Sequence, residues 1–341
     1  MMNTGKNRYR LHAATAFLTA LVVLLSGCGL FKPTFESLVA NMAKKLGKVT
    51  SVGVLTKVDT EFEVGLGSAD LTVSGKLGAV SDMDVTKEPL RSAQTFELTL
   101  EALGQTMNSK IEQYMDHTED KKQIIYTREE GGKWTKTVVD PEESGKDEAQ
   151  EGRTDGQAGA DQKDETGGAA GNESIFELME TAGKLKENLK NPELKKDLVT
   201  INDKEAYQTS FIMNDKLLFE LARTGGTDLS RFGLDANVSS EDSVEIPAEL
   251  YIYKESGLPA RITADCTALS DKFISGRIND RLKGTMFEGL TLSFKSFKID
   301  MTFDRFDEIQ TIEIPQEALD AEETKSVEEI SSSLFDSFGN F

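Results

Sequence analysis

The sequence holds only two cysteines, Cys28 and Cys266, so it can build neither a multi-bridge disulfide framework nor a cysteine metal cluster. Histidine is as scarce. His12 and His117 are the two in the chain, and His117 alone lies beyond the first 27 residues. It falls in a polar turn with Asp116, Glu119 and Asp120, where a surface histidine is expected. One histidine argues against a Ser-His-Asp hydrolase and against a histidine-rich metal site. Positive charge is in deficit too, with 39 Lys and Arg against 59 Asp and Glu and a net charge of -20. Nucleic acid is therefore not an expected partner, because phosphate binding needs a basic face. Electrostatic docking on an anionic bilayer is disfavoured for the same reason. Acidity of this kind serves solubility. The chain lacks G-x-S-x-G, H-E-x-x-H, a P-loop, and a G-x-G-x-x-G between strand and helix, so no cofactor is expected.

Long apolar runs are absent but for one. Leu11 to Leu25 is interrupted only by His12, Thr15 and Thr19, and it follows Lys6, Arg8 and Arg10. It is shorter than the roughly 20 residues a spanning helix needs, and it has the basic flank of an export signal. It ends in Leu25-Ser26-Gly27-Cys28, which resembles the lipobox of bacterial lipoproteins. That resemblance implies removal of residues 1–27 and acylation of Cys28, whose thiol takes diacylglycerol as a thioether. Two acyl chains anchor stably where one is marginal. The expected location is the cell membrane, lipid-anchored and facing the extracytoplasmic side, with 28–33 as the anchor and tether. Cys266 then has no partner and is expected as a buried structural thiol.

Beyond the anchor, Phe35, Leu38, Met42 and Leu46 share one helical face, with Thr34 before them and Gly47 as a stop. This helix is expected to pack on a core rather than lie on the membrane. Period-two patterns follow at Phe62, Val64, Leu66, then Leu71, Val73, then Phe96, Leu98, Leu100. Gln123 to Val139 reads as a hairpin. Pro141 to Glu173 contains no large apolar residue, so an acidic disordered insertion is expected over 141–173. A capped helix is predicted from Ser174 through Leu189, stopped by Asn191-Pro192. A strand around Tyr207 to Met213 and a short helix over about Asn214 to Arg223 come next. A hairpin joins Leu250–Tyr253 to Ile262–Cys266 around Lys254-Glu255-Ser256-Gly257, with Pro259 at an edge or strand start.

The run from Leu290 to Phe303 changes parity. Leu290, Leu292 and Phe294 are even, whereas Phe297, Ile299, Met301 and Phe303 are odd. A β-bulge at Lys295–Ser296 keeps both halves on one core. A last helix is signalled by Ser326 and Glu329, within a C-terminal segment 321–341. With about eight or more strands, four helices and no steady alternation, the expected class is α+β: a large curved antiparallel sheet, a half-barrel, with helices on its concave face. One domain over 34–320 carries the acidic insertion.

Candidate chemistry is thin. Asp300, Asp304, Asp307 and Glu308 form the densest acidic group near strands and are expected as a solvated face, with calcium the next reading. The aromatics are more suggestive. Phe62, Phe96, Tyr126, Trp134, Phe294 and Phe297 sit on strand patterns and are the candidates to line an apolar cavity.

Three segments carry a family resemblance. Tyr251-Ile252-Tyr253-Lys254-Glu255-Ser256-Gly257-Leu258-Pro259-Ala260-Arg261 resembles the strand–turn–strand of the LolA/LppX-like lipoproteins. Tyr126 to Lys136, with Gly-Gly-Lys-Trp-Thr-Lys, is similar to a hairpin of Gram-positive surface lipoproteins in that group, and Ile312 to Leu319 to their closing segment. The resemblance implies a curved sheet capped by helices and, in some relatives, carriage of lipids or lipoproteins. The expected function is thus a non-enzymatic, tethered binder of a lipid or other hydrophobic ligand. The alternative is a structural or sensory envelope protein that binds another protein or the wall.

Overall fold

The computed structural model describes residues 33–66, 72–118, 122–139, 189–214, 243–276, 279 and 289–324. The signal segment, Cys28, the acidic insertion and the helices expected from Ser174, from about Asn214 and from Ser326 lie outside the described residues. Helix α1 spans Phe35–Leu46. The Thr34 side chain accepts from the Ser37 backbone N–H, and Ser37 Oγ accepts from Thr34 N–H, a reciprocal cap that satisfies two otherwise orphaned donors. Phe35, Leu38, Val39, Met42 and Leu46 are buried on its inner stripe. Each contributes roughly 1.5–3 kcal/mol, so the helix is held by packing on the sheet.

Eleven strands form one antiparallel sheet. The first meander runs β1 (Ser51–Leu66), β2 (Thr72–Lys87), β3 (Leu90–Ala102), β4 (Gln105–His117), β5 (Gln123–Glu129) and β6 (Thr135–Val139). The second runs β7 (Lys190–Ile201), β8 (Lys204–Asn214), β9 (Glu245–Tyr253), β10 (Pro259–Asp265) and β11 (Leu290–Asp304). The two meet where β11 lies beside β1, giving the order β6-β5-β4-β3-β2-β1-β11-β10-β9-β8-β7. Among the described residues the fold is thus mostly β rather than α+β, and the sheet is neither closed nor strongly curled, so it is not a half-barrel. Besides α1, the described helices are short: α2 (Thr267–Ser270), which runs into a π turn at Asp271–Ser275, and α3 (Gln316–Leu319).

The bulge lies at the expected place. Glu61 pairs with Ser296 and Phe62 with Phe294, which leaves Lys295 without a partner in the ladder. Lys295 Nζ instead reaches Glu63 Oε2 at 3.0 Å. Phe297 and Phe294 therefore project to one side of the sheet despite their opposite parity. We call that side, which α1 covers in part, the inner face. Pro259 begins β10, and Gly257 takes a left-handed φ of 69° in the turn before it.

Where β10 stops at Asp265, backbone N–H groups of β11 on that side donate to side chains instead. Phe297 N–H donates to Thr267 Oγ1 at 2.9 Å, Phe294 N–H to Asp271 Oδ1 at 3.1 Å, and Leu292 N–H to Asn279 Oδ1 at 2.8 Å. α2 and the turn after it thus stand in for a strand.

After β11 the chain crosses to the outer face as a strap over residues 305–324. Thr50 N–H and Oγ1 both donate to Asp307 Oδ1, at 2.7 and 2.8 Å. Arg91 Nη1 donates to the Ile312 carbonyl at 3.3 Å. Ala318 of α3 is buried with Tyr126 and Trp134, and Thr324 N–H donates to the Lys136 carbonyl at 2.8 Å. The strap ends on edge strand β6 and covers part of its open hydrogen-bonding side. The other edge, β7, is blunted by Pro192, by Lys190, Lys195 and Lys196, and by two register shifts against β8.

Candidate functional site

Strand alternation and register sort the six candidate aromatics. Val58, Thr60, Phe62 and Val64 of β1 face the same way as Ile299, Phe297, Phe294 and Leu292 of β11, to which they are paired. Leu77 of β2 and Phe96, Leu98 and Leu100 of β3 continue this surface. Phe62, Phe96, Phe294 and Phe297 are all half-buried. The rings of Phe294 and Phe297 meet edge-on with centroids 6.0 Å apart. The Phe62 ring lies over Gly75 on the neighbouring strand, where a Cβ would stand 2.4 Å from the ring tip. Four of the six candidates therefore share the inner face beyond α1.

Tyr126 and Trp134 do not join them. Tyr126 pairs with Tyr114 and lies on the outer face, where Trp134 and Tyr114 rings are 5.7 Å apart. Both candidates are buried beneath the strap with Ala318, and the Arg128 guanidinium stands 4.6 Å over the Trp134 ring. They form a packed cluster under the strap and line no common cavity with the four phenylalanines. Alternation within each strand is legible in the sequence; the relation of one strand's face to another's depends on register.

Among the polar side chains of the inner face, Thr60 stands out. Thr60 is 2% exposed, and its hydroxyl has no hydrogen-bond partner among the described residues. A buried unpaired hydroxyl costs about 1–3 kcal/mol, so Thr60→Val is expected to raise stability by about 1 kcal/mol or more. The urea midpoint at unchanged m-value measures it; an unchanged or lowered midpoint would show that the hydroxyl is satisfied.

The outer face carries a cleft of about 580 Å³ whose lining includes Asp59, Glu249, Arg261, Lys298 and Asp300. Arg261, Asp300 and Glu249 already have partners. Arg261 is paired to both oxygens of Asp300, with Nε to Oδ1 at 2.8 Å, and that bond is the main cause of its raised pKa. Tyr251 donates to Glu249 Oε2 at 2.6 Å, and Gln208 donates to the other oxygen at 3.1 Å. Burial first, then the bond to Glu249, pushes the Tyr251 hydroxyl up to about 12. The arrangement cross-links β8 with β9 and β10 with β11 through side chains.

The acidic group of the sequence is likewise dispersed. Asp300 goes to Arg261, Asp304 to Arg305, and Asp307 to Thr50. No cluster of three or more metal-ligating side chains exists among the described residues. His117 is half-buried at the end of β4, paired in register with Gln123, rather than in a surface turn. Cys266 is buried without a disulfide, and burial pushes its thiol up to about 11. Since the thiolate is the nucleophile, native protein at pH 8 is expected to resist iodoacetamide and to label at Cys266 only in denaturant. Rapid native labelling would contradict the burial.

Sequence reasoning missed the strap and the residue that fastens it. Arg305, at a left-handed φ of 50°, lies across Gly53 of β1, where a Cβ would stand 2.2 Å from its Nε. It reaches Asp304 at 3.0 Å, Asp82 at 2.8 Å and Asp84 at 3.1 Å. The available signal was a glycine inside a valine-rich strand start.

A comparison with curated proteins finds no match. Among solved structures the chain is similar to a DUF1329 family protein from Desulfovibrio piger, at 10% identity over 80% of this chain and 91% of that one, with a TM-score of 0.18. It is also similar to a beta-barrel-like protein of the domain of unknown function DUF1849 from Brucella abortus, at 10% identity over 74% and 96%, with a TM-score of 0.21. At those scores neither likeness bears on function. Over residues 34–161, which take in α1 and the first meander, the chain matches the model of a family of unknown function, DUF6612.

Proposed function

We propose that this chain is a lipid-anchored extracytoplasmic lipoprotein that binds a lipid or other hydrophobic ligand on its inner sheet face and does no covalent chemistry. The observation that carries the reading is the bulge at Lys295. It keeps Phe294, Leu292 and Leu290 on the same side as Phe297, Ile299 and Met301, so the half-buried apolar surface runs the length of β11. A surface kept apolar along a whole strand yet only half covered is the kind that marks a binding site. The sequence resemblance to LolA/LppX-like lipoproteins agrees with this use.

Native mass spectrometry of the mature protein, extracted in mild detergent, tests the reading. A retained adduct of lipid mass, lost in Phe294→Asp, supports it; repeated apo masses across extraction conditions overturn it. Incorporation of labelled palmitate, abolished by Cys28→Ala, tests the anchor. A second reading, an envelope protein that docks another protein or the wall, is favoured by the open sheet, which encloses no barrel cavity.

A further inference from the structure

Two hairpins of the sheet close through two-residue loops in which both residues have positive φ. Asn202 and Asp203, between β7 and β8, have φ of 49° and 60°; Leu103 and Gly104, between β3 and β4, have φ of 54° and 77°. The backbone demand is the same and the residues differ. Asn, Asp and Gly adopt this conformation readily, whereas a leucine is strained in it. Leu103 is also 79% exposed, against 43% for Leu319 and 36% for Val80, the other exposed large hydrophobics among the described residues. The most exposed large apolar side chain among the described residues thus stands at a place where both solubility and backbone geometry favour Asn.

The two tips lie at opposite ends of the sheet. Ala102 is aligned through Gly75 with Phe62, near the end of β1, whereas Ala206 is aligned with Tyr253, beside the end where β1 starts. α1 gives the direction of the anchor. Its last turn sits at the Asn202 end, where Lys45 Nζ donates to the Ser256 carbonyl, and its first residue lies on Phe211, well along β8, with ring centroids 6.2 Å apart. The helix therefore enters from the Leu103 side. Cys28 precedes Thr34 by six residues, a reach of at most about 20 Å.

We propose that the Leu103–Gly104 tip inserts into the outer surface of the bilayer that holds the Cys28 anchor, an inference that rests on the anchored reading above. The contact is apolar rather than electrostatic. Four of the five charges near the tip are paired with each other, Glu61 with Lys76 at 2.8 Å and Glu63 with Lys295 at 3.0 Å, which leaves the exposed Glu101 as a single negative charge that a lipid surface must tolerate. One leucine is too little to bind a membrane alone. On a chain already tethered, the high effective concentration lets it fix the tilt of the sheet, which sets how the inner face presents to the lipid.

The test uses the full acylated protein in vesicles of phosphatidylcholine and phosphatidylglycerol. Leu103→Cys and, at the other end, Asp203→Cys each carry a nitrobenzoxadiazole label; buried Cys266 and acylated Cys28 stay unlabelled. Blue-shifted emission and quenching by spin-labelled lipid at position 103 but not at 203 is expected. Equal, water-like emission at both overturns the proposal. A second variant separates insertion from the label's own affinity. Leu103→Asn, labelled at Gln105→Cys, is expected to melt a few degrees higher, since the strain is relieved, and to lose the quenching seen at 105 with Leu103 present. Quenching that survives Leu103→Asn overturns the proposal. Palmitate labelling of the same samples tells the two failures apart. An unlabelled Cys28 brings down the anchored reading and the tip together; a labelled Cys28 with a water-exposed tip brings down the tip alone.

Discussion

Deletion of Lys295 is expected to leave the protein folded, whereas deletion of Lys298, three residues on in the same strand and just as exposed, is expected to unfold it or come close. Both are surface lysines on β11, and substitution of either by Ala is expected to cost under about 0.5 kcal/mol. Their deletions differ because of the ladder. Lys295 is the extra residue of the bulge, so its removal joins Phe294 directly to Ser296 and restores a regular alternation in which Phe294 and Phe297 still face inward. The loss is limited to an exposed ion pair with Glu63, about 0–1 kcal/mol. Lys298 pairs with Asp59 in the regular part of the strand. Without it, Phe297, Phe294, Leu292 and Leu290 turn to the outer face, or the bulge is absorbed and Phe297 alone turns out. Four half-buried side chains, at roughly half the 1.5–3 kcal/mol of full burial each, sum to about 3–6 kcal/mol, a large part of the stability of a domain, and one alone costs a noticeable part of it. Circular dichroism and urea unfolding of the two deletions measure the contrast. A Lys295 deletion as unstable as the Lys298 deletion would remove the bulge from the account.

Gly53→Val is expected to lower stability by about 1–3 kcal/mol at pH 7, and Arg305→Leu by a similar amount, with the double variant costing little more than either. The valine occupies the space of the Arg305 guanidinium, which then gives up Asp82, Asp84 and Asp304 together. The side chain of Arg305 is 37% exposed, which holds the effect below that of a fully buried pair. The deficit should depend on pH, and the sign is fixed by Asp84. Burial, reinforced by Asp82 and Asp304, raises its carboxyl, and Arg305 is the cause that lowers it. Removing the arginine raises it further. A carboxyl raised in the folded state binds more protons there than when unfolded, so it costs stability as pH rises from about 4 through its folded value. Both variants are therefore expected to recover part of their loss between pH 7 and pH 4. Urea midpoints across that range, compared with wild type, give the answer; a deficit that grows on acidification would show that Asp84 is not the residue left stranded.

Much of this architecture was legible in the residue pattern. The parity change at Lys295 is visible because apolar residues alternate strictly on both sides of it, and α1 because Phe35, Leu38, Met42 and Leu46 keep helical spacing up to a capped start. β4 was not, because its inner positions run Met107, Ser109, Ile111, Gln113, Met115 and so break the alternation with polar residues. β7 was hidden by its own edge protection. Lysines and Asn191-Pro192 look like the end of a helix, although Lys190 already begins the strand. The candidate site was half legible. That Phe294 and Phe297 share a face needs only the alternation and the bulge, but that Phe62 lies beside Phe294 needs the long-range pairing of β1 with β11, and that Tyr126 opposes them needs the register of four successive hairpins. The strap was illegible for a different reason. Residues 305–324 are held by scattered polar contacts at the start of β1 and on β2, β3 and β6, and by two isolated buried side chains, Ile312 and Ala318, and such contacts leave no period in the sequence.

The place of β11 has a consequence for how the chain is made. Gly53 finds its partner in Asp304, near the other end of the sequence. At usual rates of synthesis that partner appears only after on the order of tens of seconds. Until then the first meander stands as six strands with β1 as a bare, valine-rich rim, its backbone donors and acceptors facing water or whatever else arrives. Loop closure over such a distance is slow, and the final strand must slot between two finished halves rather than add to a border. A nascent chain of this protein therefore stays vulnerable to unwanted strand pairing for almost its entire birth, and its need for a holding chaperone should be greatest just before residue 290 emerges.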